Sequence, residues 1–286
     1  MGKISLVKSG VDIESDVRRS IDLVGGLKVR KGMEVVVKPN VCNPKNPQGM
    51  VITDFGIVGA VIKLLKEMDT KPIIVESDNI AGSAEARVRD SGLLAKLEEW
   101  GVEFRNLSKE EGIPHTVAGE EIVIPKMLLN SKYFINLPKI KTCAHTLVTL
   151  GIKNLYGCFT EAKKSKYHKK LDEILPFLAK TIRSDFIVVD GLTCMEGNGP
   201  TVGNPRKMGV IVSGTDVVEV DSFCSKLMGF DPKNIGHIAK AMDADMVPSE
   251  IVGDPWEGFV CRFEKPYSIK ATLKSIKTLR DVYLSP

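Results

Sequence analysis

The 286-residue sequence has few aromatic residues and a small net charge. Phenylalanine, tryptophan and tyrosine make up 6% of the chain, and 40 Lys and Arg against 36 Asp and Glu leave a formal charge of +4. A nucleic-acid-binding surface needs a denser basic stripe interleaved with aromatic residues, so we expect no nucleic-acid partner. No apolar run is long enough to cross a bilayer, and the first residues lack the apolar segment of a secretory signal. We therefore expect a cytoplasmic protein with no membrane partner.

Several common motifs are missing as well. The six cysteines include no C-x-x-C pair, which excludes a zinc ribbon and a contiguous ferredoxin-type cluster loop. Their wide spacing favours reduced thiols over a disulfide framework. The chain also lacks both the G-x-G-x-x-G fingerprint and the G-K-[ST] ending of a P-loop, so neither of these phosphate-binding motifs is indicated.

What the sequence does contain is a regular alternation of strand and helix patterns. Apolar residues make up 43% of the chain, and short apolar runs typical of buried parallel strands alternate with helical spacing. This order predicts an α/β fold, a layered arrangement in which helices flank a mainly parallel sheet. We expect one α/β domain over residues 1–252 and a basic C-terminal packing extension over 253–286. Strands are predicted at 33–38, 71–76, 132–137, 186–190 and 209–213, and helices from 54 onwards and at 84–100, 171–181 and 217–228.

Polar side chains follow the first two predicted strands, at the end of the sheet where ligands of parallel sheets bind. Asn40 lies just after the first strand, close to a predicted helix start, and could help to hold an anionic group. An Asn-Pro turn before a capped helix explains the same residue. Glu76 and Asp78 end the second strand and could ligate a hard divalent cation or transfer a proton. A solvated loop that caps the next helix is the alternative.

A third segment combines lysines, hydroxyl groups and a histidine. Lys139 and Lys141 are two residues apart, on one side of an extended stretch. From residue 146 a helix is predicted, and its spacing places Thr149 and Lys153 on roughly one face. An unpaired lysine in this otherwise apolar helix is costly to bury, which favours a phosphate or carboxylate site over a solvated basic face. The other polar residues of the segment are Thr142, Cys143, His145, Asn154 and Tyr156.

Two further segments carry charge. The lysine-rich run 163–170, which includes His168, is typical of a solvated mobile loop but could also close over an anionic ligand, as active-site lids do. Asp190 and Glu196 flank a glycine-rich turn whose amides could hold an oxyanion, and the two carboxylates could hold a metal. A merely tight loop is the alternative there. The glycines of this turn are Gly197, Gly199 and Gly203.

Several stretches of the chain together match one family pattern. They are Lys38-Pro39-Asn40, Leu137-Pro138-Lys139-Ile140-Lys141-Thr142, residues 148–157, Met195-Glu196-Gly197-Asn198-Gly199-Pro200, Asp221 and Met228-Gly229-Phe230-Asp231-Pro232. In this combination the chain resembles the DUF362 family, named for a domain of unknown function, over roughly residues 33–253. The resemblance implies a fold-level group and a pocket, without naming a reaction. Many relatives carry a ferredoxin-like cluster module, and the family is associated with anaerobic and archaeal redox metabolism.

The chain departs from the family pattern at two points. The cluster cysteines are missing, so an electron-transfer role would need a separate ferredoxin-like partner. In the family a histidine directly follows Lys-Thr, whereas here Cys143 does, and His145 comes two residues later. If the family histidine ligates a metal, either Cys143 replaces it or His145 reaches the same place from a shifted backbone.

Three functions are compatible with these observations. The first is an enzyme dependent on a divalent metal (Mg, Mn, Ca or Zn) that acts on a small phosphate- or carboxylate-bearing substrate, with hydrolysis or phosphoryl chemistry as the favoured reactions. The second is a redox accessory protein that holds an Fe–S cluster or a soft metal through the dispersed Cys42, Cys143, Cys158 and Cys194. The third is a non-catalytic protein that binds an anionic metabolite. The sequence leaves the oligomeric state open.

The first hypothesis assigns a role to each candidate residue. The candidate catalytic residues are Asp190, Glu196 and His145. The candidate substrate-binding residues are Asn40, Lys139, Lys141, Thr142, Thr149, Lys153, Asn154, His168, Gly197, Gly199 and Gly203. The candidate metal ligands are Glu76, Asp78, Asp190, Glu196 and Cys143.

Overall fold

The computed structural model describes residues 2–243 and 248–279. The strands in this part of the chain are β1 Lys3–Lys8, β2 Glu34–Pro39, β3 Lys71–Glu76, β4 Glu103–Asn106, β5 Gly112–Val117, β6 Glu120–Pro125, β7 Phe134–Leu137, β8 Lys139–Cys143, β9 Leu147–Thr149, β10 Phe186–Glu196, β11 Asn204–Gly214 and β12 Glu250–Gly253. The helices are α1 Ile13–Leu23, α2 Phe55–Glu67, α3 Ala84–Asp90, α4 Leu93–Trp100, α5 Lys126–Leu129, α6 Gly151–Asn154, α7 Leu171–Thr181, α8 Val217–Leu227, α9 Gly236–Ala241 and α10 Ile269–Leu279.

A ten-stranded sheet organises the molecule. Its main path runs β12-β1-β11-β10-β7-β2-β3-β4, with β8 added beside β10 and β9 beside β8. The pairs along β10-β7-β2-β3-β4 are parallel, as are β10 with β8 and β1 with β12. Antiparallel pairs join β1 to β11, β11 to β10 and β8 to β9. The predicted α/β fold with a mainly parallel sheet is therefore confirmed.

The central strands are buried on both faces, which explains their continuous apolar runs. Val36 of β2 belongs to the apolar cluster on one face, and its neighbours Val35 and Val37 belong to the cluster on the other. Side chains alternate between the faces of a strand, so a strand covered by helices on both sides needs apolar residues at every position. The two clusters make the sheet a rigid base for the loops at its carboxyl-terminal edge.

Several helix predictions are confirmed, and one predicted helix is interrupted by a glycine. Asp54 caps α2 by accepting a hydrogen bond from the Gly56 amide, and α7 has the predicted bounds, with Pro176 inside it. The single helix predicted at 84–100 is instead divided into α3 and α4. Gly92 separates them with a φ of +83°, a left-handed conformation that ends helices.

The helix predicted from residue 146 is wrong in its start. Residues 147–149 form β9, which pairs antiparallel with β8 so that Thr149 lies opposite Lys141. In this hairpin Leu147 adopts a left-handed φ of +63°, and the Thr149 hydroxyl donates to the Lys139 carbonyl at 3.3 Å. The short helix α6 begins only at Gly151, so Thr149 and Lys153 reach the site from different elements.

The segment after Asp190 is also arranged differently from the prediction. The strand continues through Glu196 and returns as β11, so the glycine-rich turn joins two long antiparallel strands. Helix α10 contacts this turn, where the Asn198 amide donates to the Ser275 hydroxyl at 3.1 Å. Within residues 2–243 and 248–279, no helix is both long and apolar enough to span a membrane.

Candidate active site

A cavity of about 320 Å³ opens where the carboxyl ends of β2 and β3 meet the β8–β9 hairpin and α6. Four of the five polar segments singled out in the sequence converge on it, and the fifth, the glycine-rich turn, adds Pro200 and Thr201. The candidate residues that line the cavity are Asn40, Glu76, Lys139, Lys141, Cys143, His145, Thr149, Lys153, Asn154 and His168. Lys38, Cys42, Ser77, Tyr156 and Lys164 line it as well.

Lys38 and Glu76 form a buried ion pair in the cavity wall. Lys38 Nζ donates to Glu76 Oε2 at 2.9 Å, and the same oxygen accepts from the Val41 amide at 3.3 Å. The Asn154 side chain contacts Lys38 twice: Lys38 Nζ lies 3.4 Å from Asn154 Oδ1, and Asn154 Nδ2 donates to the Lys38 carbonyl at 3.2 Å. Glu76, a candidate metal ligand, is therefore balanced by a lysine of the cavity itself.

Gly157 makes room for this ion pair. A Cβ placed on Gly157 would collide with Glu76 Oε1 and lie 2.8 Å from Lys38 Nζ. Any side chain would force these charged atoms apart, so the turn after α6 can lie against the pair only with glycine at this position.

Lys139 and Asp190 form a second pair, which is completely buried. Their Nζ and Oδ2 atoms are 2.5 Å apart, and both side chains are 0% exposed. Asp190 also accepts from the Asp54 amide at 2.7 Å and from the Leu192 amide at 3.0 Å. Asp190 does not line the cavity, and both of its oxygens are occupied, so it holds Lys139 and the start of α2 in place.

Lys141 and Lys164 also line the cavity, but neither has a carboxylate partner in the described part of the chain. Lys141 donates to the Val51 carbonyl at 2.8 Å and to Cys42 Sγ at 3.3 Å. Lys164 donates to Ser77 Oγ at 2.8 Å and to the Asp78 carbonyl at 2.6 Å. Burial lowers the pKa of Lys164 to about 7.

Lys153 is the least engaged lysine of the cavity. Its Nζ lies 3.7 Å from the centre of the Tyr156 ring, and within residues 2–243 and 248–279 it has no hydrogen bond or ion pair. Desolvation lowers its pKa to about 8. A cation without a counterion at the wall of a cavity is suited to an anionic ligand.

Asp221 fixes the short helix that carries Lys153. Its two carboxylate oxygens accept from the Gly151 amide at 2.7 Å and the Ile152 amide at 2.8 Å, which are the first amides of α6. Burial raises the pKa of Asp221 to about 7. The sequence alone predicts no role for Asp221. The available signal was a carboxylate in the apolar pattern of α8, which requires a buried partner.

His145 and His168, which both line the cavity, stack on each other. Their ring centroids are 4.0 Å apart with an interplanar angle of 30°. Burial lowers the pKa of His145, and burial together with the charges of His145 and Lys153 lowers the pKa of His168 to about 4. Both shifts favour the neutral imidazole, which can accept a proton.

The lysine-rich run is ordered against the cavity. Residues 164–170 form a 3₁₀ segment, and the Tyr156 hydroxyl donates to the Lys164 carbonyl at 2.6 Å. Lys164 points inward and is buried, so the segment closes one side of the cavity. Lys163, Lys166 and Lys169 of the same run are exposed, so the run is solvated on one side and lines the cavity on the other.

The remaining candidate residues lie outside the cavity and have other partners. Glu196 accepts from Arg206 at 2.7 Å, and Asp78 accepts from the Asn106 side chain and the Ala84 amide, both at 2.8 Å. The Thr142 hydroxyl donates to the Gly197 carbonyl at 2.8 Å, which ties β8 to the glycine-rich turn. A Cβ on Gly199 would collide with the Thr142 carbonyl, and one on Gly203 would collide with the Glu196 carbonyl. These glycines permit close backbone packing.

The candidate metal donors do not assemble. Within residues 2–243 and 248–279, no group of three or more His, Cys, Asp or Glu side chains is placed to hold a metal ion. Cys42 and Cys143 line the cavity, whereas Cys158 and Cys194 are buried outside it, and burial raises the pKa of Cys158 to about 12. Among the described residues, the candidate donors are therefore not grouped as ligands of one divalent metal or one Fe–S cluster.

Comparisons with known proteins agree on the family and add one distant fold likeness. The profile of the family described as "Domain of unknown function (DUF362)" matches residues 35–226, which is more than half of the chain. The thylakoid-associated protein sll1697 of Synechocystis sp. (strain ATCC 27184 / PCC 6803 / Kazusa) is 29% identical over 234 residues, covering 79% of this chain and 73% of that protein. The solved structure of the lactate racemase apoprotein from Thermoanaerobacterium thermosaccharolyticum superimposes with a TM-score of 0.40 at 15% identity. That superposition covers 80% of this chain but only 57% of the racemase chain.

Proposed function

Because this chain belongs to the DUF362 family, a domain of unknown function, we propose a function from its own site: the lysine-lined cavity binds a small anionic molecule and transfers protons to and from it. The main support for this proposal is that the cavity has more lysines than carboxylates paired with them. Five lysines line it, and only two of them have a carboxylate in ion-pair distance within the described residues. The lysines left over are Lys141, Lys153 and Lys164.

An anionic ligand would relieve this imbalance. Burying a charge without a partner is costly, and the cost is offset when a phosphate or carboxylate accepts hydrogen bonds from the ammonium groups. A cavity of about 320 Å³ lies at the lower end of the range for small-molecule sites, so the ligand is a small metabolite.

The two histidines supply acid–base chemistry beside the cationic cluster. A neutral imidazole within the cavity can take a proton from a bound molecule and return it. The nearby ammonium groups would stabilise the negative charge that develops when a proton leaves carbon or oxygen. The Tyr156 ring lies 6.4 Å from the His168 ring between centroids and is tilted from it by 29°.

Proton transfer is better supported than metal-assisted hydrolysis or phosphoryl chemistry. Those reactions need carboxylates or thiols grouped as metal ligands, and Glu76, Asp78, Asp190 and Glu196 are each committed to another partner. The redox alternative has only Cys42 and Cys143 at the cavity. Non-catalytic binding of an anion is the second candidate, because the same lysines would serve it.

Calorimetric titration with inorganic phosphate and with glutarate tests the binding step. We expect at least one of the two to bind the wild-type protein, and Lys141→Met to weaken that binding about tenfold, or ~1.4 kcal/mol. Lys96→Met is the matched control, since Lys96 is exposed and pairs with Glu99 on α4. Wild-type protein that binds neither anion, or equal loss in both variants, would contradict the proposal.

Proton transfer is tested separately by exchange in deuterated water. We expect one or more members of a panel of small carboxylic acids to lose a carbon-bound proton signal in the presence of the protein, and His145→Asn to slow that exchange. Binding without exchange for every member would leave the non-catalytic alternative.

The cellular location remains a prediction. We propose the cytoplasm from the sequence, while the Synechocystis relative is named for its association with thylakoids. Fractionation of cells that express the full chain decides between the soluble and the membrane fraction.

A further inference from the structure

Lys153 differs from the other lysines of the cavity because, among the described residues, its ammonium group has no hydrogen-bond acceptor. Each of the other four donates at least one hydrogen bond to an oxygen of the protein, at 2.5 to 2.9 Å: Lys38 to Glu76, Lys139 to Asp190, Lys141 to Val51 and Lys164 to Ser77. The nitrogen of Lys153 has only the face of the Tyr156 ring, and it lines the cavity. It is the one amine of this wall, among the described residues, whose position leaves it available for a bond to a ligand.

We propose that Lys153 forms a reversible imine with the ketone of a small 2-oxo acid, whose carboxylate is held by the neighbouring lysines. This inference rests on the anion-binding function proposed above and names its substrate class. A 2-oxo acid fits because it combines an anionic group for the cationic wall with a carbonyl carbon within two bonds of it. A phosphate ester or a simple carboxylate has no ketone with which the free amine of Lys153 could react.

The chemistry needs no co-reactant beyond the 2-oxo acid. The neutral amine attacks the carbonyl carbon, and a new nitrogen–carbon bond forms as the carbonyl oxygen takes up a proton. The resulting carbinolamine loses that oxygen as water, so one amine and one ketone give one imine and one water. His145 and His168 lie at the same cavity and can pass the protons between nitrogen and oxygen.

The surroundings favour this product. The protonated imine carries the same positive charge as the ammonium group, and the Tyr156 ring face beneath it stabilises a cation. The pKa of about 8 supports the proposal, because a desolvated lysine supplies free amine near neutral pH. Lys164 has a similarly low pKa, but its nitrogen is committed to Ser77 and Asp78.

Borohydride trapping tests the proposal directly. The full chain is incubated with pyruvate or 2-oxoglutarate, sodium borohydride then reduces any imine to a stable secondary amine, and peptide mass mapping locates the adduct. We expect one adduct per chain, on Lys153, that requires both the 2-oxo acid and borohydride. It should persist in the Lys96→Met control and disappear in Lys153→Met. Lys153→Arg keeps the charge but cannot form an imine, so it should also give no adduct.

Binding of an acid that lacks the ketone separates failure of the inference from failure of the proposed function. If glutarate binds by calorimetry and neither 2-oxo acid gives an adduct, the imine is overturned and the anion site stands. If neither glutarate nor inorganic phosphate binds and no adduct forms, both are overturned. Equal adduct yield in the wild type and in Lys153→Met overturns the imine, because the reacting lysine is then another one.

Discussion

The ammonium group of Lys153 lies 3.7 Å above the centre of the Tyr156 ring, three residues further along the chain. This contact holds a cation at the wall of the cavity without using any of its hydrogen-bond donors, so the donors stay free for a ligand. Asp221 accepts from the Gly151 amide at the start of the helix that carries Lys153, and the Tyr156 hydroxyl donates to the Lys164 carbonyl. Substitutions that remove these contacts should change anion binding or stability.

Replacing the Tyr156 ring should matter more than removing its hydroxyl. Tyr156→Leu removes the aromatic face, which contributes about 0.5–2 kcal/mol to a nearby cation, and should lower both glutarate affinity and adduct yield. Tyr156→Phe keeps the ring and loses only the hydrogen bond to the Lys164 carbonyl. Calorimetry on both variants is the measurement, and equal losses would show that the hydroxyl rather than the ring is what matters.

Gly157→Ala should destabilise the fold and weaken anion binding together. The added methyl group would push apart Lys38 and Glu76, and overpacking of this kind costs about 1–3 kcal/mol. Gly258→Ala is the matched control, because a Cβ there meets no atom within 4 Å. Urea denaturation gives the free energy of unfolding for both variants. A Gly157→Ala protein as stable as the control would show that the ion pair can move aside.

Asp221→Asn should lower stability by about 1–3 kcal/mol, because an amide cannot accept from both first amides of α6. Binding of glutarate should weaken as well, since α6 carries Lys153. Asp90→Asn removes an exposed carboxylate that pairs with Arg89 and serves as the control. If folded Asp221→Asn protein binds glutarate as tightly as the wild type, the contacts of Asp221 with the start of α6 do not contribute to binding.

His237 should make the fold less stable in acid. Its side chain is completely buried, both ring nitrogens have no hydrogen-bond partner in the described part of the chain, and burial together with the charge of Lys153 lowers its pKa to about 3. Because the ordinary value is 6.5, the unfolded chain binds a proton between about pH 6.5 and pH 3 that the folded chain does not. Stability therefore falls as the pH falls through this window.

His237→Leu isolates this contribution. The difference in unfolding free energy between the variant and the wild type should be constant above about pH 7.5 and grow in favour of the variant by up to ~1.4 kcal/mol per pH unit below pH 6. Taking the difference removes the opposing contribution of Asp221, whose raised pKa acts in both proteins. A difference that does not change with pH would mean that His237 is protonated in the folded state.

The pattern of the chain predicts the sheet and much of the cavity. The strand at 71–76 and the helix at 171–181 have their predicted bounds, because long apolar patterns flanked by Gly, Pro or charge leave little choice. Lys139 and Lys141 of β8 and Lys153 of α6 reach one cavity at the edge of the sheet where the parallel strands β2 and β3 end.

The pairing of the charged side chains could not be predicted in the same way. The sequence places Asp190 at the end of a strand. In the structure β10 continues past it and pairs with β11, and Asp190 forms a buried ion pair with Lys139. The same continuation turns Glu196 towards Arg206 of β11 and away from the cavity. Contacts between residues so far apart in the chain depend on register and on glycine-permitted backbone approaches, which no local pattern specifies.

The most direct test of the lysine-lined anion site is a crystal structure of the wild-type protein grown with glutarate. We predict a carboxylate inside the cavity, within hydrogen-bond distance of Lys153 and of Lys141 or Lys164. Glutarate bound only elsewhere on the surface, with water alone filling the cavity, would contradict it.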